Sequence, residues 1–366
     1  MNFEFSEEQR FIGDQARTFL SRECTPAVVR RILDGQDSFD ARLWQQIISL
    51  GWTGITIPEN FGGTGLGYLE LCLVAQELGR AVAPVPFSSS AYLGTEAILR
   101  FGSSAQQHDY LPRLASGESI GTLAIAEGPG HQQFGARVSG DRLSGEKYPV
   151  ADGDVAHFAV VSATNEQGET ALYLADLTGS GVQRKPLHTM DPSRSQAQLT
   201  FDACPVEPLG GGDNGQQQLA RLLDRAAVLI AFEQVGGAQA ALDMGVAYTR
   251  ERYAFGRPVA SFQAIKHKFA DMYVSLELAR ANAYYGAWAL ATDAPDLPLA
   301  AATARVSATD AYYQISKENI QVHGGMGFTW EFDCHLHYRR AQFLSGVLNT
   351  QTYWKKAVAE RLLNAA

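Results

Sequence analysis

A chain of 366 residues, 46% of them hydrophobic, is long enough to bury a large core and to divide into more than one structural unit. Thirty Lys and Arg against 39 Asp and Glu leave a formal net charge of −9; with no clustered basic run, this argues against nucleic acid or an anionic membrane as the main partner. The opening MNFEFSEEQRFIGDQ carries charge where a secretory signal needs an apolar core, and no stretch is long and apolar enough to span a bilayer. The expectation is a cytoplasmic protein without membrane insertion.

In chain order, Ser6-Glu7-Glu8-Gln9 has the form of a capping box: the serine accepts from the third helical N–H and Gln9 reaches back. Phe11, Ile12, Ala16, Phe19 and Leu20 are expected on one face of the helix that follows. Cys24, Cys72, Cys204 and Cys334 lie far apart without C-x-x-C spacing, so buried thiols are expected, and neither a metal site nor a disulfide framework. Helical patterns continue through Phe39–Leu50 and Tyr68–Leu78, the latter followed by Gly79. Between them, Ile57-Pro58-Glu59-Asn60-Phe61-Gly62-Gly63-Thr64-Gly65 reads as a glycine-rich turn.

From about Gly117 to Leu209 the composition shifts to short β-like runs, Thr122–Ala126, His157–Val161, Ala171–Leu174 and Gln196–Phe201, separated by Gly, Asp, Asn and Pro. This predicts a small antiparallel β domain. Gly210-Gly211-Gly212-Asp213-Asn214-Gly215 reads as a flexible linker, after which everything is helical. From Leu222 to Phe269 one long pattern, with apolar Ala227, Ile230, Ala231, Val235, Ala238 and Leu242 at helical spacing, is broken only by Gly256-Arg257-Pro258. Behind that corner Ser261 is expected to cap a second helix. The long helices after Gly215 are apolar on more than one face, the pattern of oligomer-forming helices and equally of a buried core.

Two strings in this half carry a resemblance. Arg252-x-x-Phe255-Gly256-Arg257-Pro258, with Phe262-Gln263 and Lys266-His267 behind it, is similar to the flavin-diphosphate segment of the acyl-CoA dehydrogenase family. About sixty residues on, Gln321-Val322-His323-Gly324-Gly325-Met326-Gly327-Phe328 is similar to a second signature of that family. The resemblance runs from Phe5-Ser6-Glu7-Glu8-Gln9 to the last helix. It implies an α+β multi-domain fold: an N-terminal α-helical domain (1–116), a middle antiparallel β domain (117–209) and a C-terminal four-helix bundle (216–366). It also implies α,β-desaturation of an acyl-CoA thioester with FAD as hydride acceptor, electron-transferring flavoprotein as the next acceptor, and a homo- or hetero-tetramer with another acyl-CoA dehydrogenase chain. In this family the P-E-x-x-G-G stretch, here from Pro58, is a structural loop and not a phosphate site.

The resemblance assigns roles position by position. The flavin diphosphate and adenine, lent to the neighbouring subunit, fall to Arg252 as a forked guanidinium, Phe255 as an aromatic wall, Gln263 and Gln321 as neutral donors, and Gly324 and Gly325 as closely approaching backbone. The subunit's own flavin ring takes contacts from a V-T-E-P-G-x-G-S-D string and a later W-I-T. Here those read Ile125-Ala126-Glu127-Gly128-Pro129-Gly130-His131 and Pro149-Val150-Ala151, so both threonines are alanine and the tryptophan is proline. The general base, which must sit against a weakly acidic α-carbon, falls in most members at the position of Leu348 and in others at that of Ala226. Neither is a carboxylate. In the substrate contact F-D-x-x-R, Asp224 survives and the arginine position is Ala227. Glu331 is a weak candidate for a relocated base, with Glu233 and Asp333 as further carboxylates in reach.

What the chain would use itself has gone, and what it would lend has stayed. With Met190-Asp191-Pro192-Ser193-Arg194 resembling incomplete subunits, the pattern points to a base-lacking subunit of a hetero-oligomeric dehydrogenase of the steroid side-chain type. The alternatives are a self-sufficient homo-oligomer with a relocated base, a flavoprotein acting by elimination without net oxidation, and a non-catalytic relative that binds an acyl-CoA or a partner.

Overall fold

The computed structural model describes residues 5–35, 37–128, 135–211 and 214–365. Its helices are α1 (Glu7–Glu23), α2 (Pro26–Asp34), α3 (Ala41–Ser49), α4 (Tyr68–Arg80), α5 (Glu96–Phe101), α6 (Ser104–Ala115), α7 (Gly215–Glu251), α8 (Gln263–Ala291), α9 (Leu297–Val322), α10 (Cys334–Gly346) and α11 (Gln351–Ala365). The strands are β1 (Gly121–Ala124), β2 (Arg137–Ser139), β3 (Arg142–Ala151), β4 (Phe158–Thr164), β5 (Thr170–Asp176), β6 (Val182–Pro186), β7 (Gln196–Pro208), β8 (Tyr253–Ala254) and β9 (Arg257–Pro258). They form two compact units, one of Met1–Arg30, Tyr68–Ala83 and Ala227–Ala366, the other of Arg31–Gly67 and Pro84–Ala226.

The first unit is helical. The capping box forms as its sequence predicts, Gln9 N donating to Ser6 Oγ at 3.2 Å and Ser6 N to Gln9 Oε1 at 2.9 Å. Ala16 and Leu20 are buried, but Phe11 is 63% exposed; at 3.6 residues per turn it stands about 140° from Ala16, off the packed face. Arg17 pairs with the buried Glu77 at 2.9 Å, fixing α1 to α4. Between α4 and α7 the backbones nearly touch. A Cβ on Gly79 would lie 1.8 Å from the Glu233 carbonyl oxygen, and one on Gly236 would lie 1.8 Å from that of Gln76, so only glycine allows this crossing. α9 packs against α8, α10 and α11, largely through buried alanines such as Ala279, Ala283, Ala304 and Ala308.

The second unit centres on a seven-stranded sheet. Most of its ladders are antiparallel, but β1 joins β4 in parallel and β2 meets β4 in parallel at a single residue pair. The chain of pairings β4–β5–β7–β3–β2–β4 closes the sheet on itself, which leaves few free edges. The expected turn Ile57–Gly65 is structural: its amides are consumed by backbone, Gly65 N by Ile57 O at 2.9 Å and Thr64 N by Gly54 O at 3.0 Å. The expected linker is not loose at its described ends. Gly210 N donates to Gln106 Oε1 at 3.0 Å, and a Cβ on Gly215 would lie 2.5 Å from Thr170 O; Gly212 and Asp213 lie outside the described residues. All four cysteines are free and buried. Among the described residues no His, Cys, Asp or Glu cluster is suited to a metal, and no helix is long and apolar enough to cross a membrane.

Candidate functional site

The two motif strings meet where three helices of the first unit converge. Near the end of α7, a Cβ on Gly245 would come within 3.2 Å of Asn319 Oδ1 and Val322 on α9 and 3.3 Å of Phe269 on α8. The Asn319 amide donates to Met244 Sδ at 3.4 Å. One turn later the ring of His323, the C-terminal cap of α9, stacks on Tyr248 with centroids 4.1 Å apart and 20° between planes. Phe332 meets both rings edge-on, at 5.8 and 5.9 Å. His323 Nδ1 lies 2.7 Å from Asn319 O; a carbonyl only accepts, so Nδ1 carries the proton. Burial pushes this histidine down in pKa against the opposing pull of that carbonyl, so the ring is neutral near pH 7.

Past Glu251 the chain turns through a small hairpin, β8 pairing with β9. The turn residues Phe255 and Gly256 have φ of 52° and 80°, the pair of positive values that two-residue hairpins require. Phe255 occupies the left-handed region without being glycine, and its side chain is 96% exposed. Phe262 backs it edge-on at 6.3 Å, and the Arg257 guanidinium lies 4.0 Å over the Phe262 ring. Ser261 does not cap α8. It ends a 3-10 turn, Val259–Ser261, and its hydroxyl donates back to Pro258 O at 2.6 Å; Phe262 is the cap residue and supplies no side-chain bond.

Arg252, Gln263, Gln321, Gly324 and Gly325 are all exposed at this end of the unit. Gly324 has φ of 60°, and a Cβ on either glycine would meet nothing within 4 Å. A forked cation, two amides, an open stretch of glycine backbone and a bare aromatic ring fit a diphosphate with a flat ring beside it. These are the six residues expected from the sequence; Gly245, Tyr248, Asn319 and Phe332, which hold the segments together, carry no local signature and were not expected.

In the second unit, the backbone of the segment expected to meet a flavin ring is bonded within the sheet. Tyr148 N donates to Ala126 O and Gly128 N to Tyr148 O, both at 2.8 Å. The Tyr148 hydroxyl lies 2.5 Å from where a Cβ on Gly128 would stand. Ala151 O accepts from Thr122 Oγ1 at 2.6 Å. Lys147 Nζ is buried 2.5 Å from Glu127 Oε1. Burial pushes this lysine down to about 8 despite its partner; it also pushes the Glu127 carboxyl up, but Lys147 and the Gly135 and Ala136 amides outweigh it and hold the acid below its usual range. Pro129, Gly130 and His131, where the family's G-S-D turn is sought, lie outside the described residues. The run Met190–Arg194 is anchored inward: Arg194 pairs with buried Asp152 at 3.2 Å, and Asp191 accepts from Ser193 N at 3.1 Å.

The base positions are apolar and closed. Ala226 is fully buried, and Asp224 beside it is 5% exposed. In the first unit Leu348 is 7% exposed in a left-handed turn, with φ of 60° there and 81° at Asn349. Two buried donors hold this turn, Trp354 Nε1 to Leu348 O at 2.8 Å and Arg305 to Val347 O at 2.7 Å. Burial pushes the Arg305 guanidinium down to about 9 against the field of Glu233. Glu331 is exposed, and its own backbone N–H and the Thr329 hydroxyl hold its carboxyl below the usual range, the wrong direction for a base attacking a weak carbon acid. Glu233 is buried 3.8 Å from Arg340, and Asp333 pairs with Arg30 at 2.8 Å.

Comparison with known proteins places the chain in a family. Residues 6–118 match the family model for the N-terminal domain of acyl-CoA dehydrogenases, and residues 213–362 match that for the C-terminal domain. Acyl-CoA dehydrogenase IpdE2 of Mycobacterium tuberculosis is 34% identical over 336 residues, 92% of this chain and 91% of that protein. The ChsE4-ChsE5 complex of the same organism has a chain that superposes with a TM-score of 0.92 at 28% identity, over 99% of both chains. The steroid ACAD Tcur3481-Tcur3483 superposes with a TM-score of 0.89 at 30% identity over 98% of both. Held to these relatives along almost its whole length, the chain belongs to the acyl-CoA dehydrogenase family, enzymes that oxidise acyl-CoA thioesters with FAD.

Proposed function

We propose that this chain is the base-lacking subunit of a cytoplasmic hetero-oligomeric acyl-CoA dehydrogenase acting on a bulky, steroid-type acyl-CoA thioester. It lends the nucleotide half of a flavin site, Arg252, Phe255, Gln263, Gln321, Gly324 and Gly325, to a catalytically complete neighbour. These residues would hold the nucleotide end of FAD, which when bound would supply hydride-accepting chemistry; the α-proton would fall to a carboxylate of the neighbour, and electron-transferring flavoprotein would be the acceptor downstream. We assign sequence domains of 1–116, 117–209 and 216–366, which cut across the two compact units, and take buried Asp224 of α7 as what remains of the substrate contact.

The observation that carries this reading is the contrast between the two halves. Phe255 is presented bare on a strained turn, which a self-contained fold has no reason to maintain, while Ala126 and Ala151 offer no side-chain donor to a flavin ring and Leu348 and Ala226 offer no base. An exposed apolar stripe on α8 supports assembly. Val274 (56%), Leu278 (62%) and Tyr285 (37%) recur at helical spacing on one face. Two of the structural relatives, the ChsE4-ChsE5 complex and the steroid ACAD Tcur3481-Tcur3483, carry the names of two chains.

The test is the absorbance near 450 nm against 280 nm of the chain purified alone, with its mass in solution. The proposal expects well under one flavin per chain, rising on co-expression with a neighbouring acyl-CoA dehydrogenase chain. One flavin per chain in a pure homo-oligomer would overturn it in favour of a self-sufficient enzyme. No flavin with any partner would favour a binding protein.

A further inference from the structure

We propose that His323 is a positioning residue for the nucleotide end, a plank that fixes the Gly324–Gly325 backbone against the helix end carrying Arg252. The inference rests on the reading of that end as a flavin-nucleotide site. The two halves of the site come from segments about seventy residues apart in sequence, so something must set the distance between them. On one side stands Tyr248, whose carbonyl accepts Arg252 N at 2.9 Å; its ring therefore lies one turn below the arginine. On the other side His323 directly precedes Gly324. The 4.1 Å stack of the two rings joins the two segments directly beneath the exposed Arg252 and Gly324.

The histidine is built to stay in place. It is 4% exposed, its Nδ1–H is tied to Asn319 O, and Phe332 closes its edge at 5.9 Å. A hydrogen bond back to its own helix and a stack across to another leave the ring no second orientation. Below it, a Cβ on Gly245 would stand 3.2 Å from Asn319 Oδ1 and Val322, so α7 and α9 are closely packed there. Above it Gly327 packs on Ile320 O, where a Cβ would stand 2.4 Å away, but Gly324 and Gly325 have no side chains to pack and the hairpin beyond Glu251 is two residues a strand. Diphosphate recognition by a guanidinium and backbone amides is geometry-limited, and loss of a supporting group typically costs roughly tenfold or more in affinity.

The variants are His323→Phe, which keeps a ring and loses the N–H, and His323→Ala, which removes the plank. Two readouts are taken on each. The first is backbone hydrogen exchange of the purified chain: His323→Ala should accelerate exchange in both 250–258 and 322–328 while the centres of α8 and α9 keep their protection, and His323→Phe should restore most of it. The second is FAD titration of the co-expressed assembly, where His323→Ala should weaken binding by about tenfold and His323→Phe by no more than about threefold. Exchange that stays unchanged in 250–258, or rises uniformly through the unit, overturns the proposal. So does FAD affinity within twofold of the parent, or equal damage from both variants. If the parent assembly binds no FAD, the flavin reading fails, and the exchange result still decides whether the plank exists.

Discussion

At the scale of single residues, the most informative side chain is Phe255. A non-glycine residue in the left-handed region costs about 1–2 kcal/mol, and among the described residues the ring's one aromatic contact is edge-on to Phe262. Phe255→Gly is therefore expected to raise the stability of the isolated chain by about 1 kcal/mol, read from urea unfolding. The same change should lower the flavin content of the co-expressed assembly, read from the 450 nm absorbance. An unchanged flavin content would mean that the ring faces nothing of consequence. This residue, and Arg252 with it, was singled out in the sequence by resemblance to a family string; the hairpin itself showed there only as a break at Gly256-Arg257-Pro258. The Tyr248–His323 stack was not legible, because aromatic residues about seventy-five positions apart give no sign of meeting until three helices bring them together. The clamp of Arg305 on Val347 is hidden for the same reason.

Among elements, the helices were readable wherever a cap or a sustained period announced them: α1 by its capping box, and α7 and α8 by their long apolar repeat. The glycines of α4 and α7 look like interruptions in such a pattern and turn out to be its contact points. Gly236→Ala should cost at least about 2–3 kcal/mol in urea unfolding, because the neighbour of the new methyl is the Gln76 carbonyl, a backbone atom with nowhere to go. A cost below about 1 kcal/mol would mean that the two helices part readily. Strands were less readable. β3 holds Gly145, Lys147 and Pro149, which read as loop, and it accommodates them through register shifts against β7. β6 is polar and almost wholly exposed, so it carries no hydrophobic alternation. Ser261 deceived for a different reason: a serine one position early in a 3-10 turn satisfies itself, and the helix starts without it.

For the whole molecule, the proposed assembly makes the α8 stripe the surface to test. In the isolated chain Leu278 is exposed, so Leu278→Glu should leave stability within about 0.5 kcal/mol of the parent. In an oligomer that covers it, a buried unpaired carboxylate is costly, and the mass in solution should fall towards that of a single chain. A mass unchanged by the substitution would remove α8 from the interface. The sequence was clear on overall class and on the contrast between the two flavin halves, since both depend on which residue types stand at motif positions. It was silent on the ring closure of the β sheet, which arises from pairings no single strand encodes.

The exposed hairpin tip has a bearing on how such a chain lives in a cell. Phe255, with Phe328 and Tyr253 also largely bare, gives the unassembled chain the sticky, solvent-facing aromatics that chaperones and proteases recognise in misfolded proteins. Under the proposed assembly, a copy made without its partner is an orphan, correctly folded yet marked for removal. Matched synthesis of the two chains becomes a condition of this one's survival, and its steady-state level should follow the supply of the partner more closely than the strength of its own expression.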